Sequence, residues 1–187
     1  MVAMMLPSAA PAILLYARVH RHSRDDEAAL PIAAFLAGYL ACWFGFALLA
    51  ATLQLAVASP MSMAVEGRMA ASIMLVAAGA YQLSPLKDAC LGRCRSPAEF
   101  IARHYRPGDW GATRLGLLHG AYCVGCCWLL MALLFVGGVM NLAWIAALSI
   151  VVAIEKMAPG GDCLARVLGL ALIAAGLVKL VWLSAAV

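Results

Sequence analysis

Four side chains that can bind metal recur at four-residue steps in an apolar stretch: His119, Cys123, Cys127 and Met131. On a helix, residues four apart lie on one face, about one turn from each other, and Cys126 lies beside that face. Thiol, thioether and imidazole groups are ligands for soft metals such as Cu(I), and also for zinc. Because reactive groups inside a membrane span are costly, their presence there indicates a function. The spacing therefore predicts a soft-metal site on one helix.

The three cysteines of this stretch allow more than one coordination. Two sulfurs from Cys123, Cys126 and Cys127 suffice for linear Cu(I), and the third would make the site trigonal. Zinc would need a fourth ligand, supplied by His119, Glu155 or a cysteine of another helix. A single buried cysteine is usually a small packing residue. Three within five positions favour metal or thiol chemistry.

A second thiol pair, Cys90 and Cys94, lies in a basic segment with Arg93 and Arg95. Neighbouring positive charge favours thiolate, which is the form that binds metal. Gly92 weakens a helix at this point, so the pair lies either on a helix or in a turn. We expect it to bind metal or to exchange thiols, with a structural turn as the alternative.

Methionine thioethers form a third set of candidate ligands. Met4 and Met5 share one helical turn close to Pro7, and Met131 lies further along the helix of the cysteines. We expect these three to be exterior or mid-path copper ligands. The alternative for methionine is flexible packing, which we favour for Met61, Met63, Met69 and Met140.

The composition indicates a membrane protein. Hydrophobic residues make up 66% of the 187 and charged residues 12%, and the mean hydropathy is +0.96. A soluble domain is about half apolar and about a quarter charged. The net charge of +4 comes with no basic stripe interleaved with aromatics, which excludes nucleic acid as a partner. Seven cysteines, an odd number, do not suggest a secreted disulfide framework.

Apolar runs predict an all-α bundle of about six transmembrane spans in a single membrane domain, 1–187. A span needs roughly 17–25 residues. The first span is short and is interrupted by Pro7 and Pro11. Either this helix begins at the chain end, or residues upstream of it are absent from the sequence. Residues 87–113 are long enough for a short cytoplasmic loop element. The six spans are 1–18, 31–58, 69–86, 114–137, 139–157 and 165–184.

Charge predicts the orientation, because lysine and arginine accumulate in cytoplasmic loops. Eleven of the 13 basic residues lie in or beside the loops 19–30, 87–113 and 158–164. We therefore place these loops in the cytoplasm and the protein in the bacterial inner membrane as a multi-pass protein. Most cysteines then lie towards the reducing side and most methionines towards the exterior, as inward movement of Cu(I) would require.

The chain resembles a bacterial family of predicted metal-binding integral membrane proteins of unknown function, some of whose members are labelled copper chaperones. The resemblance rests on Met1–Pro11, Leu86–Pro97 and His119–Met131, with Gly138–Asn141 and Glu155–Lys156. It implies a helical inner-membrane protein that handles a soft metal, with copper as the implied ion. Family members usually have more chain before the first block.

Three functions remain open from the sequence. We favour a Cu(I)-binding membrane protein that receives, stores or passes the ion. No nucleotide-binding motif occurs, and an enzyme is the less favoured class. The first alternative is a membrane thiol–disulfide oxidoreductase using Cys123 and Cys126. The second is a non-catalytic accessory or assembly subunit. Expected partners are the lipid bilayer, the metal ion, and either a membrane or periplasmic protein or a second copy of the chain.

Overall fold

The computed structural model describes residues 2–23, 29–57, 65–138, 141–158 and 160–185. Regular structure in these ranges is α-helical, and they contain no strand. This confirms the all-α fold class. The helices of the described ranges are α1 (Val2–Ser23), α2 (Ala29–Val57), α3 (Val65–Gln82), α4 (Pro85–Arg95), α5 (Pro97–His104), α6 (Asp109–Gly137), α7 (Leu142–Met157) and α8 (Gly161–Ala185).

Three helices are long and apolar enough to cross a membrane. They contain Leu30–Leu55 in α2, Asp109–Gly137 in α6 and Gly161–Ala185 in α8. A fourth candidate combines Gly67–Gln82 with Pro85–Arg95, two segments that meet at a bend of 63°. By length and composition the described residues are compatible with a membrane protein of three spans, or of up to four.

The prediction of six spans is not confirmed, because two of the six runs are short. In α1 the apolar part is Met4–Val19, which falls below the length of a candidate span. In α7 there are 16 residues, which cover about 24 Å at 1.5 Å per residue, against a hydrocarbon layer of roughly 30 Å. The predicted fifth span, 139–157, started three residues before α7 begins at Leu142.

The segment 87–113, predicted to be a loop element, is largely helical. It contains most of α4, all of α5 and the start of α6. Prolines begin both short helices, Pro85 in α4 and Pro97 in α5, at positions where the missing N–H costs no intrahelical bond. Gly108, with φ of 87°, allows the turn that leads into α6. Cys90 and Cys94 therefore lie on a helix rather than in a turn.

The chain divides into two compact units. The first combines Met1–Leu49 with Ala89–Cys126, and the second combines Ala50–Asp88 with Cys127–Val187. The boundaries fall inside α2, α4 and α6. A single membrane domain stays a prediction.

Close approach of α2 and α6 organises the first unit. A Cβ atom at Gly38 would collide with the Thr113 carbonyl, and one at Gly116 with the Phe35 carbonyl. The two glycines thus let the helix backbones meet directly, which is the usual role of small residues between membrane helices. The Tyr16 ring stacks on Phe35 with centroids 5.1 Å apart and closes the core beside them.

In the second unit, α3 and α8 are held together in the same way. A Cβ atom at Gly169 would lie 3.0 Å from the Gly79 carbonyl oxygen, and one at Gly176 would lie 2.9 Å from the Ser72 carbonyl oxygen. Nothing larger than glycine fits at these contacts without moving a backbone. The small residues of α3 and α8 therefore fix how closely these helices pack.

The second unit also buries an ion pair. Lys87 Nζ lies 2.7 Å from Glu155 Oε2, and both side chains are almost fully inaccessible. Gln82 Nε2 donates to the other carboxylate oxygen of Glu155 over 2.6 Å, and its own Oε1 accepts from Lys87 Nζ. Buried charges are tolerated when they are paired and hydrogen-bonded, and this three-residue network meets both conditions.

Candidate metal centre

Two buried thiols of α6 form the base of the candidate centre in the first unit. Cys123 and Cys126 lie about one turn apart on α6, and each is 1% exposed. The Cys126 thiol donates to the Cys123 carbonyl oxygen over 3.1 Å, a local contact that a helix makes possible between residues three apart. The Cys126 sulfur is thus held beside the backbone of Cys123.

A third thiol comes from α4. The Cys94 side chain lies close to the thiols of both Cys123 and Cys126. It is the last but one residue of α4, and Ser96 and Pro97 end that helix and begin the next. Residues that are almost thirty positions apart in the sequence are therefore neighbours in the fold.

Cys90, one turn earlier on α4, lies against α6 at Gly125. Its sulfur is 3.1 Å from the position that a Gly125 Cβ atom would occupy. The Cys90 thiol also interacts electrostatically with Cys126. Gly125 therefore leaves the space that Cys90 fills beside the pair on α6.

Cys42 of α2 also joins this group, although sequence analysis assigned it no chemistry. It faces α6 at Gly120, where an added Cβ atom would lie 2.8 Å from the Cys42 Cβ and 3.4 Å from its sulfur. Gly120 lies one turn before Cys123 on α6, so the Cys42 thiol lies near that of Cys123. Since α2 is apolar on every side, its sequence gives no signal for which residue faces α6.

Tyr39 connects this group to α1. Its hydroxyl donates to the Met5 carbonyl over 3.1 Å and lies 3.5 Å from the Cys123 sulfur. Met5 is fully buried, whereas Met4 is half-buried. Met4 and Met5 were the predicted N-terminal ligands. Of the two, Met5 is hydrogen-bonded through its carbonyl oxygen to Tyr39, whose hydroxyl lies next to Cys123. Met1, Met61, Met63 and Met140 lie outside the residues whose side chains are described.

His119 is buried among aromatic rings. The centroids of Phe100, Tyr39 and Phe35 lie 5.4, 6.0 and 6.1 Å from that of the imidazole. The register of His119 with Cys123 on one helix face is as predicted. The imidazole ring, however, is surrounded by the aromatic rings of Phe35, Tyr39 and Phe100, an aromatic wall that residue spacing along the sequence could not indicate.

The remaining predicted ligands belong to the second unit. Cys127 and Met131 are buried on the continuation of α6. Both oxygens of the Glu155 carboxylate are engaged, one by Gln82 and the other by Lys87. A carboxylate held in this way already has its charge compensated and is a poor candidate for a further metal bond.

The described side chains do not enclose a metal site of several ligands. Among them, no group of three or more His, Cys, Asp or Glu residues is arranged to hold an ion as it stands. The cysteines of the described residues form no disulfide, and thiolate is a ligand type that binds both Cu(I) and zinc.

The comparison with known proteins supports copper as the ion. No curated protein and no solved structure matches the chain. The sequence model of one family, PpoB2, described as copper chaperone, matches residues 1–179. That match covers nearly the whole chain, and it agrees with the resemblance seen in the cysteine and methionine blocks. The chain belongs to the PpoB2 copper chaperone family.

Proposed function

We propose that this protein is a membrane-embedded Cu(I) carrier that receives, holds and passes the ion through thiols of the first unit. The single observation behind the proposal is that the Cys94 thiol of α4 lies beside the buried thiols Cys123 and Cys126 of α6. Thiols from two helices are thereby neighbours, and two of them suffice for one Cu(I) ion.

The chemistry is ligand exchange, without redox change. Cu(I) binds two of the three thiols, and each thiol that binds releases its proton. The third sulfur can bond to the ion before one of the first two leaves, so that copper is never released into an apolar environment as a bare cation. No nucleotide hydrolysis is needed for this step, in agreement with a sequence without a nucleotide-binding motif.

The proposed ligands differ in how deeply they are buried, and this difference suggests a role for each. Cys123 and Cys126 are almost inaccessible, while Cys94 is half-buried, so Cys94 is the thiol that a donor or acceptor reaches first. We assign Cys90 to the approach on α4 and Met5 to the approach from α1. His119 contributes to the aromatic wall, and Glu155 is left out because Lys87 and Gln82 hold it.

The membrane part of the proposal rests on α2, α6 and α8, whose length and apolar composition are compatible with crossing a bilayer. We propose the bacterial inner membrane, with the basic segments facing the cytoplasm. Cys94 follows Arg93 and precedes Arg95, so it would lie towards the cytoplasmic side. Met5 is linked to Cys123 through the Tyr39 hydroxyl, so it would lie near the thiols rather than at the exterior face. The proposed protein partner is a membrane or periplasmic protein, or a second copy of the chain.

Elemental analysis of protein purified in detergent, reduced and without chelator, tests the proposal. We expect copper to be bound in stoichiometric amount and to be lost when Cys94, Cys123 and Cys126 are all replaced by Ser. Cys163→Ser is the matched control, because Cys163 is exposed. Unchanged copper in the triple variant, or zinc in place of copper, would refute the assignment.

The same contact supports a second candidate function, membrane thiol–disulfide exchange. Cys94 lies near Cys123, and a disulfide between them would form on loss of two protons and two electrons to an electron-accepting partner. A mixed disulfide trapped on Cys94 in a Cys123→Ser, Cys126→Ser variant would favour this function. Stoichiometric Cu(I), with all thiols still reduced, favours the carrier.

A further inference from the structure

Two glycines of α6 receive a cysteine from another helix. An added Cβ atom at Gly120 would lie 2.8 Å from the Cys42 Cβ, and one at Gly125 would lie 3.1 Å from the Cys90 sulfur. Gly120 precedes Cys123 by three residues, and Gly125 directly precedes Cys126. Each glycine thus admits a thiol from α2 or α4 next to one of the α6 cysteines.

The five thiols of the first unit consequently fall into two groups along α6. Cys42 packs at Gly120, one turn before Cys123, and Cys90 packs at Gly125, next to Cys126. Cys94 lies near the α6 member of each group. An ion shared by Cys94 and Cys126 would therefore leave Cys42 and Cys123 available to bind a second ion.

Building on the proposed carrier function, we propose that Cys42 is a metal ligand and forms with Cys123 a second Cu(I) position, so that one chain holds two ions. The first position is then formed by Cys94 and Cys126, with Cys90 beside it. Each position binds Cu(I) by losing two thiol protons to solvent or buffer, which leaves a two-coordinate bis(thiolate) of charge minus one. No electron is transferred.

Two features argue that the environment of Cys42 is suited to a ligand. Tyr39 lies one turn earlier on the same helix, and its hydroxyl is 3.5 Å from the Cys123 sulfur. When Cys123 gives up its proton to copper, that hydroxyl can donate to the resulting thiolate. The second feature is the number of ligands. Two thiols are enough for Cu(I), so this position does not require a group of three or more ligand residues, which the described side chains do not form.

Titration of the reduced protein with Cu(I), in competition with a chromophoric Cu(I) chelator, tests this inference. Wild type is expected to take up two equivalents, Cys42→Ser one and the exposed-site control Cys163→Ser two. Cys42→Ala, which is apolar and smaller, should also take up one equivalent and guards against a packing effect of serine. Helix content from circular dichroism is measured on each variant.

Each outcome is decisive. One equivalent in wild type, or two in both Cys42 variants, overturns the second position while the carrier function stands. No copper in a Cys42 variant of native helicity would mean that Cys42 belongs to one shared site, which also overturns it. Failure of the proposed function itself would look different, since wild type would then bind no copper.

Discussion

The hydroxyl oxygen of Tyr39 lies 3.5 Å from the sulfur of Cys123 and at the same time donates to the Met5 carbonyl oxygen. A tyrosine hydroxyl has one proton and two lone pairs, so it can accept from a thiol and turn to donate to a thiolate. Tyr39 therefore matches both the metal-free and the copper-bound state of Cys123. Its aromatic ring, near His119, is retained when only the hydroxyl is removed.

Replacing Tyr39 by Phe should weaken Cu(I) binding about tenfold. A hydrogen bond to a charged group contributes roughly 1.5–3 kcal/mol, and about 1.4 kcal/mol corresponds to a factor of ten. Chelator competition measures the change. Tyr122→Phe is the control, since Tyr122 neighbours Cys123 in sequence while its ring lies beneath Arg93. Equal affinity in both variants would exclude the role of the Tyr39 hydroxyl.

Cu(I) should protect the clustered thiols from alkylation and leave Cys163 unprotected. Cys94 is half-buried and Cys163 exposed, so both react with a maleimide, but only Cys94 lies among other sulfurs. Mass spectrometry after timed labelling should show at least a tenfold slower reaction at Cys94 when copper is bound. Equal slowing at Cys163 would indicate a general effect of copper on the protein or on the reagent.

Glu155→Gln should destabilise the protein strongly without changing its copper stoichiometry. The substitution leaves the Lys87 ammonium buried without its counter-charge, and breaking a buried ion pair costs about 3–5 kcal/mol. Thermal unfolding in detergent gives the effect on stability, and elemental analysis gives the metal content.

The exposed pair Arg103–Glu99, at 2.6 Å, provides the matched control for that experiment. Because surface ion pairs contribute about 0–1 kcal/mol, Glu99→Gln should hardly change the unfolding temperature. Loss of copper from Glu155→Gln at a temperature where its fold is intact would restore Glu155 as a ligand.

Gly169→Ala should destabilise the packing of α3 on α8 by about 1–3 kcal/mol, as overpacking does in well-packed interiors. The added methyl would lie 2.9 Å from the Gln82 Cβ and 3.0 Å from the Gly79 carbonyl oxygen. Gly45→Ala is the comparison, because nothing lies within 4 Å of a Cβ there, and alanine favours a helix. An equal fall in unfolding temperature for both variants would contradict the interpretation of the contact.

Sequence spacing predicted what lies along one helix. Cys123 and Cys126 lie about one turn apart on α6 because the period of the helix requires it. Their C-x-x-C spacing was enough to single them out as candidate ligands. The all-α class followed equally from hydropathy. These predictions depend on local geometry, which the order of residues determines almost alone.

Contacts between helices could not be predicted from residue spacing or hydropathy. Nothing in the neighbourhood of Cys42 in the sequence indicates that Gly120 receives it, and the Glu155 carboxylate looks free until Lys87 and Gln82 are seen against it. The number of spans was not confirmed for a related reason. The apolar run 139–157 starts before α7 does, and only the structure shows that this helix begins at Leu142.

Gly120 and Gly125, which face Cys42 and Cys90, limit which mutations the candidate metal centre can tolerate. A methyl group at Gly120 or Gly125 alters no sulfur and no charge, yet it would occupy volume that a thiol now fills. The proposed carriage of copper would therefore be as vulnerable at two positions that have no side chain as at the cysteines themselves.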